Sequence, residues 1–490
     1  MIRGFLNSVE NFPDYPAITI DNNTQTYKQL FELSAQIAKK IEKIDSPLIG
    51  VYTDNNLYTY AGILGILMCG KGFVPLNHKF PDYRFKSIIS QLNLTEVLGC
   101  QSSQNRITNL NSDVDYFSID NLSVSQKKSN INFPRKTNTA YVLFTSGSTG
   151  IPKGIPISYE NFDGLLDGIK DRWKVNASDI VLQAFELSFD VSLANTFLTF
   201  QAGAHLVVTS FDGITAINAY KSILDHKVTF AILPPSSISY LKKFKLLKDV
   251  KIPSVHTTVF TGEALFYENV REWKIGAPNS KIRNAYGPTE GTVWCLEHLL
   301  DENEINEATG GCPIGTPLKH IALEVDYSSG STIDQGELCI SGIQLFDGYI
   351  NNSEKTQKVL VRKKDGTVLY KTGDLVKKDE NGNICYINRL DNQVQINGFR
   401  VELGEIEFAI KKVTNNSETV VFASEFLESL SLIAVIEKEK EDIATLKSNL
   451  SKLIPSYMMP RKIHFIDTMP LNSSGKIDRV ALRKTYSDAT

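Results

Sequence analysis

The segment Phe144-Thr145-Ser146-Gly147-Ser148-Thr149-Gly150-Ile151-Pro152-Lys153-Gly154 concentrates groups that can bind an anion. Three glycines let the backbone turn tightly and expose consecutive N–H groups, while four hydroxyls and one lysine can donate to phosphate oxygens. This is the composition of a loop that holds a polyphosphate. It is not a Walker A loop, because no Gly-Lys-Ser/Thr closes it. A Ser/Gly linker would need neither the apolar strand that precedes this segment nor its Pro-Lys-Gly exit.

The loop resembles the signature of the adenylate-forming superfamily. Its members include acyl-CoA synthetases, luciferases, adenylation domains of non-ribosomal peptide synthetases and D-alanine–carrier-protein ligases. Further matching motifs follow in the family's order. They are Asn284-Ala285-Tyr286-Gly287-Pro288-Thr289-Glu290, Gly336-Glu337-Leu338, Tyr370-Lys371-Thr372-Gly373-Asp374, Arg389-Leu390-Asp391-Asn392-Gln393-Val394, Gly398-Phe399-Arg400-Val401-Glu402-Leu403 and Asn472-Ser473-Ser474-Gly475-Lys476-Ile477-Asp478-Arg479. The resemblance implies an α/β fold with a large N-terminal domain over residues 1–390. That domain has parallel-rich sheets flanked by helices and a small β-barrel-like part. A small mobile α+β domain over 391–490 follows, with its hinge at Asp391.

The implied chemistry has two halves. A carboxylate attacks the α-phosphate of ATP, giving an acyl adenylate and pyrophosphate. A thiol then attacks the adenylate carbonyl. The first half brings two anions together, so it needs cations and donors. The resemblance assigns Thr145, Ser146, Gly147, Ser148, Thr149 and Gly150 to the phosphates, with Lys153 holding the loop or the pyrophosphate. Asn284, Ala285, Tyr286, Gly287 and Thr289 belong to the nucleotide site, where Tyr286 packs on adenine. Glu290 holds Mg²⁺, a hard cation suited to carboxylate and phosphate oxygens. Asp374 accepts the ribose hydroxyls, since a carboxylate carries only acceptors. Arg389 sits near the ribose and phosphate. Lys476 reaches the carboxylate and α-phosphate from the C-terminal domain, whose rotation about Asp391 then admits the thiol.

Phe185-Glu186-Leu187-Ser188-Phe189-Asp190-Val191-Ser192 resembles the segment in which amino-acid-activating members pair an aspartate with the substrate ammonium. The alternative for Asp190 is an N-cap of the helix that begins near Val191. The pocket positions carried over are Asp190, Val191, Ala194, Ile232, Val259, Thr261, Ala285, Val293 and Trp294, closed by Lys476. This lining has no second charge to read a charged side chain. Trp294 fills side-chain space and favours glycine, alanine or D-alanine, while Ala194 leaves room on the opposite wall. The D-alanine ligases look nearest, but they carry Cys where this chain has Thr261 and a smaller residue where it has Trp294. Two further departures are Tyr159, where many members have His, and Gln395, where most have Lys.

These residues need a scaffold, and the sequence supplies alternating strand-like and helix-like runs. Pro47–Thr53 reads as a strand, Tyr58–Cys69 as a helix, and Gly72–Leu76 as the next strand. The Val191–Phe200 run precedes a strand over Ala204–Thr209, and Thr139–Phe144 leads into the phosphate loop. Such alternation predicts parallel sheets with helices on both faces. Gln101–Pro134 is polar and weakly periodic and reads as a surface excursion. From about Gly330 short strands follow, at Gly336–Ser341, Thr367–Thr372 and Ile384–Arg389, with a turn at Asp379–Asn383. Beyond Asp391 the pattern predicts a helix at Glu405–Lys411, strands at Glu418–Ala423 and Ser431–Ile436, and a charged helix at Glu439–Leu453.

Composition narrows the remaining classes. Of 490 residues, 42% are hydrophobic and 22% charged, which excludes a wholly disordered chain. The net charge of −3 gives no global basic field for nucleic acid. The longest apolar stretch, Tyr60–Cys69, is too short to span a bilayer. Met1–Phe5 lacks a signal-like opening, so a cytoplasmic location is expected. The six cysteines form no CxxC pair and read as buried small hydrophobes in a reducing compartment. Eleven residues follow Arg479, so the expected acceptor is a separate phosphopantetheinylated carrier protein, with coenzyme A second. ATP and Mg²⁺ are the expected cofactors, without nucleic acid or membrane insertion. An acyl- or aryl-CoA synthetase and a non-catalytic nucleotide-binding homologue are the competing readings.

Overall fold

A computed structural model describes residues 1–120, 122, 137–147, 151–330, 334–391, 393–396, 398–415, 417–426, 429–439, 441–472 and 477–487. Contacts divide the chain into two compact units. The first gathers Met1–His78, Gln91–Leu143 and Gly154–Leu390; the second gathers Lys79–Ser90, Phe144–Lys153 and Asp391–Thr490.

Two large sheets dominate the first unit. The nine-stranded sheet has a parallel centre, in spatial order Lys281–Tyr286, Thr257–Thr261, Phe230–Leu233, Ile180–Gln183, His205–Val208 and Pro16–Ile20. Antiparallel strands close both of its ends. The six-stranded sheet runs Asp115–Ser118, Glu96–Gly99, Leu48–Thr53, Gly72–Asn77, Thr139–Thr145 and Lys153–Ser158. Its strands are short apolar runs because helices cover both faces, so nothing selects alternation. The helices Leu57–Met68 and Asp190–Gln201 are buried almost all round, and their sequences are correspondingly apolar on every side. The helix Tyr159–Trp173 starts at a capping box in which Ser158 and Asn161 satisfy each other's backbone N–H groups.

A five-stranded antiparallel sheet built from Ile321–Asp326, Gln335–Gly342, Leu360–Arg362, Val368–Lys378 and Ile384–Arg389 is the part expected to be barrel-like. The strand expected at Thr367–Thr372 extends to Lys378, with register shifts where it meets Gln335–Gly342 and Ile384–Arg389. The region expected to be a surface excursion is corrected in its first half. Gln104–Leu110 is a helix and Asp115–Ser118 an edge strand, because Ile107 and Val114 bury themselves. Residues 123–136 lie outside the described residues.

In the second unit the strands Thr419–Phe426, Ser429–Glu437 and Lys462–Ile466 form one sheet, and Gln393–Ile396 pairs with Phe399–Glu402. The helix Leu403–Val413 packs Ile406, Ala409 and Ile410 into this unit's core. The charged helix is shorter than expected, Ile443–Leu450. Asp442 caps it by accepting from the Ala444 and Thr445 N–H groups, which fixes its start.

Candidate active site

In open α/β sheets, ligands gather at the carboxyl ends of parallel strands. Most of the expected pocket residues stand there. Ile232 pairs in register with Val259, and Thr261 with Ala285. Alternation puts these four on one face, and Val191, Ala194, Ile232, Val259, Ala285, Val293 and Trp294 all fall in one buried apolar cluster. The intervening residues Ala231, Leu233, Phe260 and Ile282 face a different cluster. Asn284 shares that second face with Phe260, its register partner, and donates its side-chain amide to the Pro313 carbonyl at 2.8 Å. It braces the strand end on the side away from Thr261 and Ala285.

Asp190 opens the helix Asp190–Gln201. The N-cap is Phe189, so Asp190 occupies the first helical turn rather than the cap. Its Oδ1 accepts the Val191 N–H at 2.8 Å. A carboxylate here also meets the positive end of the helix dipole. Beside it, burial raises the Tyr141 phenol and the Cys295 thiol, and the negative charge of Asp190 raises both further.

Trp294 is fully buried, and its indole N–H donates to Thr261 Oγ1 at 2.9 Å. Trp173 packs against it with ring centroids 4.7 Å apart. Thr292 and Val293 precede it with φ of 59° and 69°, a left-handed conformation unusual for β-branched residues. Gly287 is required by a close approach. A Cβ there would lie 2.4 Å from the Val293 carbonyl oxygen and 2.8 Å from Trp294 Cα.

A second constellation lies on the five-stranded sheet. Asp374 and Arg389 are register partners across two antiparallel strands, and Arg389 Nη1 reaches Asp374 Oδ1 at 2.8 Å and the Thr372 carbonyl at 2.9 Å. The Tyr286 hydroxyl donates to Asp374 Oδ2. Burial, then the Asp374 charge, holds the Tyr286 phenol well above its usual range. Together they offer an aromatic ring, a carboxylate that can only accept and a guanidinium that can only donate. Thr289, half-buried, starts the short turn Thr289–Gly291 that carries Glu290. Glu290 is fully buried, and Tyr349 Oη donates to its Oε1 at 2.7 Å. Among the described residues no group of three or more acidic, His or Cys side chains could hold a metal. A single carboxylate suits Mg²⁺, which takes most of its shell from phosphate and water.

The described part of the phosphate loop belongs to the second unit. Ser146 Oγ donates to the Arg400 carbonyl and accepts the Glu402 N–H, both at 3.0 Å. The Gly147 N–H donates to Glu405 Oε2 at 3.0 Å, and Lys153 Nζ meets Glu402 Oε1 at 2.7 Å. Arg84 Nη1 lies 3.2 Å from Glu405 Oε1. Burial raises the Glu405 carboxyl, against the lowering effects of Arg84 and the Gly147 N–H. The Gly147 N–H and Lys153 hold carboxylates here, so they are donors of the kind that hold phosphate oxygens. Thr145 ends the strand that leads into the loop. Asp391 is exposed and accepts the Gln393 N–H at 3.1 Å. Ser148, Thr149, Gly150 and Lys476 lie outside the described residues.

Residues 5–350 match the model of the AMP-binding enzyme family. The chain belongs to that family. Among curated relatives, zwittermicin A synthase ZmaJ of Bacillus cereus is 31% identical over 500 residues, covering 99% of this chain and 94% of the relative. Gramicidin S synthase 2 of Brevibacillus brevis is 31% identical over 98% of this chain, which spans 11% of that synthase. The solved adenylation domain AlmE of Vibrio cholerae, in complex with glycyl-adenosine-5'-phosphate, superposes with a TM-score of 0.87 at 22% identity. It covers 99% of this chain and 97% of its own. The chain is thus an adenylate-forming enzyme by family, and its fold is that of an adenylation domain.

Several residues of this site carry no strong sequence signal. Tyr141, Trp173 and Tyr349 read as core aromatics. Tyr159, singled out as a departure, is one: it is buried and donates its hydroxyl to the Lys71 carbonyl at 2.6 Å. Gln395 is exposed on its strand opposite Arg400.

Proposed function

We propose that this enzyme joins a small amino acid, glycine, alanine or D-alanine, to AMP and then passes it to the phosphopantetheine thiol of a separate carrier protein. A carboxylate oxygen of the amino acid attacks the α-phosphorus of ATP, and the bond to the bridging oxygen breaks as pyrophosphate leaves. The thiol then displaces AMP from the aminoacyl carbonyl. Asp190, at the start of the helix that also carries Val191 and Ala194 of the expected lining, carries this reading. A carboxylate there has a purpose when the substrate brings an ammonium, and a cost when it does not. Trp294 limits the side chain, and the glycyl adenylate seen with AlmE is of the size such a pocket would accept.

The roles divide as follows. Tyr286 stacks on adenine, and Asp374 accepts from the ribose hydroxyls. Arg389 orients Asp374 and reaches the phosphate. Ser146, the Gly147 N–H and Lys153 receive the phosphate chain, and Lys476 neutralises charge gathering between carboxylate and α-phosphate. Glu290 would hold Mg²⁺, which when bound offsets charge on the phosphates. Residues 391–490, hinged at Asp391, carry Lys476 into and out of the site. An ATP-consuming reaction of this kind belongs in the cytoplasm.

One observation favours a second reading. Asp190 already accepts the Val191 N–H, which a helix-starting aspartate would do beside any acyl substrate. An acyl- or aryl-CoA synthetase is then the alternative. Substrate-dependent ATP–pyrophosphate exchange separates them. Exchange with one small amino acid is expected; exchange confined to acids without an amine would overturn the proposal.

A further inference from the structure

Gln344 is buried, far in sequence from the pocket residues, and outside the motifs. Its side-chain nitrogen donates to the Trp294 carbonyl at 2.7 Å, with the Gly291 and Thr292 carbonyls at 3.2 and 3.4 Å. Its own carbonyl accepts the Thr292 hydroxyl. Only the amide nitrogen can face three carbonyls, so the orientation of the side chain is fixed. The consequence is that Gln344 Oε1 is left buried without a hydrogen-bond partner. An unsatisfied buried oxygen is costly, and an apolar residue of this size would avoid it. Something must require the donor.

The backbone it holds supplies the requirement. Thr292 and Val293 sit at φ of 59° and 69°, where β-branched residues are strained unless their surroundings hold them. These two residues set where the Trp294 backbone emerges. Thr261 fixes the far end of the same side chain through the indole N–H. The seat for Gln344 is prepared in turn by the helix Tyr159–Trp173. A Cβ on Gly164 would lie 2.6 Å from Ile343 Cγ2, the residue before Gln344.

We infer that Gln344 is the positioning residue of the side-chain pocket, holding the strained Thr292–Val293 backbone so that Trp294 forms the wall that excludes larger amino acids. This rests on the reading of Trp294 as a pocket wall. Gln344 acts through backbone carbonyls and does not touch substrate.

The test is exchange kinetics on Gln344→Met, which keeps volume and removes the donor, beside Trp294→Ala. Steady-state constants are measured for ATP, for the best amino acid and for a series of larger aliphatic amino acids. Gln344→Met is expected to raise the KM of the best amino acid about tenfold and to shift selectivity toward larger side chains. The KM for ATP should stay within about twofold. A purely structural role would lower Tm and kcat for all amino acids alike, and that outcome overturns the inference. If Trp294→Ala relaxes selectivity and Gln344→Met does not, the inference falls while the pocket stands. If Trp294→Ala leaves selectivity unchanged, the pocket reading and this inference fall together. Should Gln344→Met not fold, Gln344→Leu, which also removes the donor, is read the same way.

Discussion

Asp374 and Arg389 face each other across two antiparallel strands, with the Tyr286 hydroxyl on the other carboxylate oxygen. A carboxylate buried to 5% exposure must keep such partners to stay ionised. Asp374→Asn replaces one acceptor with a donor and removes the charge. We expect the KM for ATP to rise about tenfold or more, with the amino-acid KM nearly unchanged. Exchange kinetics in both substrates would check this; an equal rise in both would deny Asp374 a ribose-specific role. These residues were legible because each sits in a motif of distinctive composition. Asn284 sits in such a motif too, yet faces away from Ala285, because adjacent residues of a strand point to opposite faces. The Lys153–Glu402 pair was not legible. The two residues are 249 positions apart, and nothing local in either segment announces the other.

At the scale of elements, the parallel strands were readable as short apolar runs between helical ones. Boundaries held at Gly72, where a strand begins as expected, and missed at Asp442, whose cap starts the charged helix late. They failed where a polar segment nevertheless buried two or three apolar side chains, as Ile107 and Val114 do. The left-handed Thr292–Val293 turn had no signal, since β-branched residues argue against it. One junction between strands has a measurable pH signature. Near the edge of the nine-stranded sheet, His205 Nε2 and Thr19 Oγ1 lie 2.7 Å apart, and Thr19 also bonds Thr24. Burial, aided by His226, lowers the His205 pKa from 6.5 to about 4. Between those values the unfolded chain takes up a proton that the native chain refuses. The resulting stability is present above about pH 6.5 and is lost as pH falls to about 4. The loss is on the order of 2–3 kcal/mol. Denaturant titrations across this range should show the slope, and His205→Gln should flatten it. An unchanged slope in the variant would assign the acid sensitivity elsewhere.

At the scale of the whole molecule, the residues proposed for the chemistry are divided between two compact units. The first holds the residues proposed to line the substrate pocket, Glu290 and the Tyr286–Asp374–Arg389 set. The second holds the described phosphate-loop donors. Family membership was legible from motifs because adenylate formation requires the same anion-holding groups whatever the acid. The identity of the acid was not, because it depends on the shape of a pocket whose walls come from distant strands. In the proposed function, what separates amino-acid activation from acyl activation is a single charge, Asp190. The most direct measurement compares exchange with alanine and with propionate, its des-amino counterpart, in the parent enzyme and in Asp190→Ala. The account predicts strong exchange with alanine or its D isomer, little with propionate, and a loss of about a hundredfold or more for alanine in the variant. Equal exchange with alanine and propionate, or a variant that activates alanine as well as the parent does, would contradict it.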